Sequence, residues 1–239
     1  MEIVGGKVGV KVTTGASSLY MSAAKRLLRV ADTLDNKAAF DAEVHPAKTH
    51  RAHELIETSL TVVILSFSAV EAVVNELFAE RHEFDQAVWF PGLNEKIAAD
   101  LKQAWSDEIE WLRTIDKAKR ALKIAGRSID WGKGAPQDLG LLAELRNALI
   151  HHKPHSAVAG GPVDELEQKL KHRFAPARIY VGHNVNFRWG VLAYGCAKWA
   201  YDTAAAFQAE FFGALGCDYP KPWPLPDEGP TPVDLPAGV

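Results

Sequence analysis

An arginine, a polar residue and a histidine fall within six consecutive positions in Arg146-Asn147-Ala148-Leu149-Ile150-His151. These residue types suit phosphodiester chemistry that needs no metal. Cleavage of RNA by its own 2′-hydroxyl calls for a base to take the hydroxyl proton and cations to hold the charge that grows on the phosphorus oxygens. It also calls for an acid to protonate the departing 5′-oxygen. Histidine ordinarily titrates near neutrality and serves as either base or acid. A guanidinium keeps its charge and meets phosphate with paired N–H donors. One copy of the segment carries one imidazole of this motif and one guanidinium. Two copies meeting across a two-fold axis would bring both pairs into one cleft. Arginine and histidine at this spacing also recur on ordinary helix surfaces, so the surrounding elements decide.

The segment closes a leucine-rich helical pattern expected over about Gln137 to His152, and Pro154 disfavours helical geometry at Lys153. On that helix Leu142, Leu145 and Leu149 share a core stripe. His151 falls about 180° from Leu142, Asn147 lies one turn before it on the same far side, and Arg146 falls between the two sides. A histidine that merely filled the core would sit on the leucine stripe. The ordinary alternatives for His151 are a surface position or a subunit interface.

Upstream, Ser68-Ala69-Val70-Glu71-Ala72-Val73-Val74-Asn75-Glu76-Leu77-Phe78 places Glu71 and Asn75 one turn apart in an apolar run. A carboxylate buried there without a partner would be costly. Arg146 is the natural partner, and another base or simple exposure are the alternatives. The Arg-polar-x-x-x-His signature, with an acidic residue and an asparagine in a long central helix, resembles the HEPN superfamily over roughly Ala47 to Pro154. The resemblance implies an all-α helical bundle, a homodimer and a metal-independent endoribonuclease acting on single-stranded RNA without a cofactor. It implies that Arg146 grips the scissile phosphate, that His151 is base or acid, and that Asn147 orients the histidine or the substrate. Glu71, Asn75 and His152 would support them. A prokaryotic defence or toxin–antitoxin setting, with a cognate antitoxin as partner, follows from the same resemblance. Two rivals stand beside it. One is a non-catalytic HEPN module that binds a nucleotide, nucleic acid or partner protein, and the other is a plain helical scaffold.

The remaining elements must hold these residues. Residues 1–15, with alternating Val8, Val10 and Val12, read as an N-terminal arm or short strand. Residues 16–216 read as the helical domain. Its first helix, about Ala16 to Leu34, would bury Leu19, Ala23, Leu27 and Val30. A long helix, about Ala47 to Glu83, is apolar nearly all round from Leu60 to Phe78 and should run through the middle of the bundle. A third pattern, about Asn94 to Arg127, is continuous or broken once. In it Trp111, Ile115, Ala118, Leu122 and Ala125 oppose Arg113, Lys117, Arg120 and Arg127. That basic side is the candidate RNA-binding face, against the plainer reading of a solvated helix surface. Trp89, Trp105 and Trp111 read as core or interface fillers. Glycines at 132 and 134 and Pro136 separate it from the motif helix. A short helix is expected near Val163 to Lys171, a small β-hairpin near 178–189, and a last helix from about Val191 to Leu215. Seven prolines mark residues 217–239 as an extended or disordered tail.

The chain of 239 residues has 47% hydrophobic and 24% charged residues and a formal charge of −3, an ordinary balance for a globular protein. That charge excludes a protein coated in basic residues, though not a local basic groove. Cys196 and Cys217 have no metal-type spacing and form no disulfide framework, which points to a reducing cytoplasm. No basic region followed by an apolar run opens the sequence, so no secretory leader is expected. The apolar run at 60–78 is interrupted by Ser66, Ser68, Glu71 and Asn75, and so reads as a buried helix with no role in a membrane. His151 and His155 are four apart, but Pro154 separates them and no Glu-x-x-His occurs, so no metal is expected.

Overall fold

The computed structural model describes residues 2–4, 7–9, 15–35, 50–79, 90–105, 107–151, 165–177 and 191–218. These are mostly helical, as expected for an all-α protein. Of the alternating valines near the start, Val8 takes the strand option, and Val10 and Val12 lie outside the described residues. Glu2–Val4 (β1) pairs antiparallel with Lys7–Gly9 (β2), with Ile3 opposite Val8. The described helices are α1 (Ala16–Leu34), α2 (His50–Ala79), α3 (Glu95–Ala104), α4 (Asp107–Glu110), α5 (Thr114–Ile124), α6 (Gly134–Ile150), α7 (Glu165–Leu170) and α8 (Tyr194–Leu215). The expected hairpin at 178–189, His152, Trp89 and the tail beyond residue 218 lie outside the described residues.

Helix α2 is the axis, because its apolar residues point in several directions and need neighbours on several sides. Val62, Val63, Phe67, Val70, Val73, Val74, Leu77 and Phe78 are all buried. It is the one described helix long and apolar enough to cross a membrane by length and composition, and half of its most apolar stretch is buried within the bundle. Helix α1 runs antiparallel to it. At one end Leu34 packs with Ala52 and Leu55. At the other, Ser17 donates its backbone N–H and its hydroxyl to the Glu76 carboxylate at 3.0 and 2.6 Å. Gly15, the residue before α1, has no side chain to cap it, so Glu76 satisfies donors that the first turn leaves open. Helix α8 runs alongside α2 in the same direction. Ala193 clusters with Ala52 and Leu55, and Ala197 with Val62.

The face of α1 differs from the sequence expectation. Leu19 is 57% and Val30 40% exposed, while Ser17, Met21, Ala24, Ala31 and Leu34 are buried. Small residues win here because Ala24 lets α1 approach Val62 and Ala197 closely. The 94–127 region also breaks twice, more often than expected. Trp105 leaves α3 in extended geometry and packs its ring 5.9 Å from Phe78. Arg113 is extended again before α5. Helix α6 starts at Gly134, ahead of the expected Gln137. Pro136 fits its first turn, where a backbone N–H has no partner to lose.

The C-terminal helix fills the core with Phe207, Phe211 and Phe212, all fully buried. Phe90 stacks on Phe212 at 5.5 Å, and Trp131 reaches Phe207 at 5.9 Å. Gly216 ends the helix in the left-handed conformation, φ 76°, which a side chain would resist.

Candidate functional site

The motif occupies the last turns of α6. Leu139, Leu142, Leu145 and Leu149 are buried and anchor the helix. Arg146 is half-buried, while Asn147, Ile150 and His151 are exposed. The sequence placed Asn147 and His151 away from the leucine stripe with Arg146 between, and that placement agrees with the structure. His151 is the C-cap residue, its backbone N–H donating to the Asn147 carbonyl at 2.9 Å. Its imidazole makes no hydrogen bond or ion pair among the described residues. Ile150 beside it is 43% exposed.

Arg146 is held in place by two contacts. Its guanidinium lies over the Phe67 ring at 5.7 Å, and its Nη1 donates to Asn147 Oδ1 at 3.0 Å. Cation–ring contact and a side-chain acceptor together restrict a long, flexible side chain. The Nε is buried with no hydrogen-bond partner among the described residues. Asn147 therefore orients the arginine, where the sequence suggested the histidine or the substrate.

Glu71 does not pair with Arg146. Among the described residues, Thr114 Oγ1 donates to Glu71 Oε1 at 3.4 Å, and Lys117 Nζ donates to Asn75 Oδ1 at 2.7 Å. Positions 67, 71 and 75 recur once per turn along α2, so Arg146 and Lys117 are stationed on one stripe of that helix. Lys117 is only 7% exposed. Burial pushes its pKa below the ordinary lysine value of 10.5, and the carboxylates of Glu71 and Glu110 push it back up. Glu71 is half-buried and accepts from a hydroxyl, with the Lys117 ammonium near enough to feel its charge but bonded to Asn75. Lys117 thus leaves the proposed RNA-binding face. The polar stripe on α2 draws polar side chains inward, so α5 buries Thr114 and Lys117 together with Ala118, Ala121 and Leu122.

Arg113, Arg120 and Arg127 remain exposed. The exposed basic side of α5 also holds Lys119 and Lys123, which sequence reasoning missed. Lys119 lies 5.1 Å from the Trp131 ring. The missed signal was the shift of the buried arc by about one position once Thr114 and Lys117 turn inward. Trp111 is 85% exposed, so it fills no core within the chain. Its place in the linker between α4 and α5 takes it off the helix face on which the sequence pattern had put it.

No group of three or more histidine, cysteine or acidic side chains suited to a metal occurs among the described residues. Cys196 and Cys217 are buried and form no disulfide. Burial pushes the Cys196 thiol up to about 12, far from the thiolate that nucleophilic work requires. Comparison of the chain with protein-family models, with curated proteins and with solved structures finds no match.

Proposed function

We propose that this protein is a metal-independent endoribonuclease of HEPN type, with a site completed by a second copy of the chain. The observation that carries the reading is the arrangement at the end of α6. There an oriented guanidinium, its asparagine partner and an exposed imidazole sit within two turns of one rigid helix. Exposed Ile150 beside His151 supports burial of this edge against a second subunit.

In the proposed reaction one His151 accepts the proton of a ribose 2′-hydroxyl. The oxygen attacks the adjacent phosphorus, and the bond from phosphorus to the 5′-oxygen breaks. The second imidazole, contributed by the other copy in its protonated form, gives its proton to that oxygen. Arg146, aimed by Asn147 and Phe67, stabilises the phosphorane-like charge. The products carry a 2′,3′-cyclic phosphate and a 5′-hydroxyl. Glu71, Asn75 and Lys117 support α5 against α2, and the exposed Arg113, Arg120 and Arg127 are the proposed RNA-binding residues. A cytoplasmic defence or toxin–antitoxin role, with an antitoxin partner, rests on the HEPN resemblance alone.

The test is cleavage of several unstructured RNAs in EDTA by wild type, His151→Ala and Arg146→Ala. Cleavage by wild type and a loss of at least about a hundredfold in each variant is expected. Retained cleavage in His151→Ala places the activity elsewhere. RNA or nucleotide binding by wild type with no cleavage would favour the non-catalytic module.

A further inference from the structure

Trp111, at 85% exposure, is the most open of the large apolar side chains among the described residues. It stands in the linker at 111–113 between α4 and α5, with Leu112 38% exposed and Arg113 exposed beside it. An aromatic ring left in water gains free energy when a flat apolar surface covers it.

The packing of α5 places this linker. Thr114 opens α5 and donates to Glu71, and Lys117 one turn later donates to Asn75. The contacts follow the same order on both helices. Helix α5 therefore runs in the direction of α2, and its first turn lies at the Phe67 end of the polar stripe. Arg146 reaches that end from α6, over the Phe67 ring. Phe67 and Glu71 are about 6 Å apart along the α2 axis, at a rise of about 1.5 Å per residue. The linker that carries Trp111 and Arg113 thus enters α5 within about one turn of α2 from the station of Arg146.

Charge favours a polyanion as the occupant. Arg113, Arg120, Lys123 and Arg127 are exposed, and none forms an ion pair among the described residues. Asp116 is the exposed carboxylate of α5, and Glu108 and Glu110 are exposed on α4 ahead of the linker. A phosphate strand is drawn along α5 and kept off α4. A basic track that ends at an open aromatic ring suits a single-stranded nucleic acid, whose phosphates meet cations while its bases stack on rings.

We propose that Trp111 is the platform on which a base next to the scissile phosphate stacks, with Arg113 holding a neighbouring phosphate. The proposal rests on the ribonuclease reading for which phosphate is cut, and adds to it a contact outside α6. Stacking tolerates any base, so Trp111 adds affinity and fixes where the strand lies without choosing its sequence.

The test measures binding in EDTA by full-length His151→Ala, which cuts nothing in the proposed reaction. The probes are an unstructured RNA oligomer and the same oligomer made abasic. Adding Trp111→Ala should weaken binding of the RNA about tenfold, and Trp111→Phe, which keeps a ring, about threefold or less. The abasic oligomer should bind equally well with and without Trp111→Ala. The dependence of affinity on salt should keep its slope in Trp111→Ala, because stacking releases no counterion, and should flatten in Arg113→Gln. Melting curves should match, since the ring is exposed. With His151 intact, Trp111→Ala should raise KM about tenfold and leave kcat within about twofold. Unchanged RNA affinity overturns the proposal and leaves the ring to a protein partner. An equal loss on the abasic oligomer also overturns it, as does loss of self-association in Trp111→Ala, which would assign the ring to a second copy of the chain. The ribonuclease reading fails separately: a wild type that binds RNA through Trp111 and cuts none loses that reading and keeps the platform for a bound base.

Discussion

At the scale of single residues, Lys117 stands beside Glu71 and Asn75, where the sequence suggested Arg146. Arg146 is aimed by Asn147 and Phe67, so Asn147→Ala should leave the fold intact and impair cleavage by releasing the guanidinium. A cleavage rate unchanged in that variant would remove Asn147 from the site. Lys117 is the cation that stands beside Glu71 and Asn75, and its pKa is lowered by burial. Between that lowered value and 10.5 the unfolded chain holds a proton that the folded protein has released. Stability should therefore rise with pH across that window, and Lys117→Met should flatten the rise. Denaturant unfolding at alkaline pH checks it, and an identical slope in the variant would contradict it. Gln208 gives a separate expectation. It is fully buried, and neither end of its amide finds a partner among the described residues. Gln208→Met should stabilise the protein by about 1–3 kcal/mol, since an apolar side chain of similar size leaves nothing unsatisfied.

At the scale of elements, the sequence made plain what large apolar residues decide and obscured what small and polar residues decide. Helix α6 and its leucine stripe were legible because Leu142, Leu145 and Leu149 repeat at the helical period. Leu142→Ala should cost about 2–5 kcal/mol by leaving a cavity against α2 and α8, measured as loss of unfolding free energy. The buried face of α1 was not legible, because close packing used Ala24 and Ala31 and left Leu19 and Val30 outside. Periodicity weighs a leucine above an alanine, whereas close helix contact here selects the alanine. The same limit hid Lys117. On a helical wheel it reads as a surface cation, and only the Glu71 and Asn75 stripe of α2 shows why it turns inward. Glu76 is a further case, since a carboxylate 59 residues away caps α1 and no local pattern announces that.

At the scale of the whole molecule, the exposed edge formed by Asn147, Ile150 and His151 is a proposed place for a second copy. Sedimentation at micromolar concentration should show a dimer, and a strictly monomeric protein would leave the site half built. Reversing charge at Arg120 and Arg127, both exposed, should weaken RNA binding and flatten its dependence on salt. Unchanged affinity and slope would return that side of α5 to an ordinary solvated surface. The central claim is that His151 performs the acid–base steps at a ribose 2′-hydroxyl. The most direct measurement treats an unstructured RNA in EDTA with wild type and His151→Ala side by side and identifies the new 3′ ends. The account predicts 2′,3′-cyclic phosphate ends with wild type and none with the variant. Equal cleavage by both proteins, or 3′-hydroxyl ends, would contradict it.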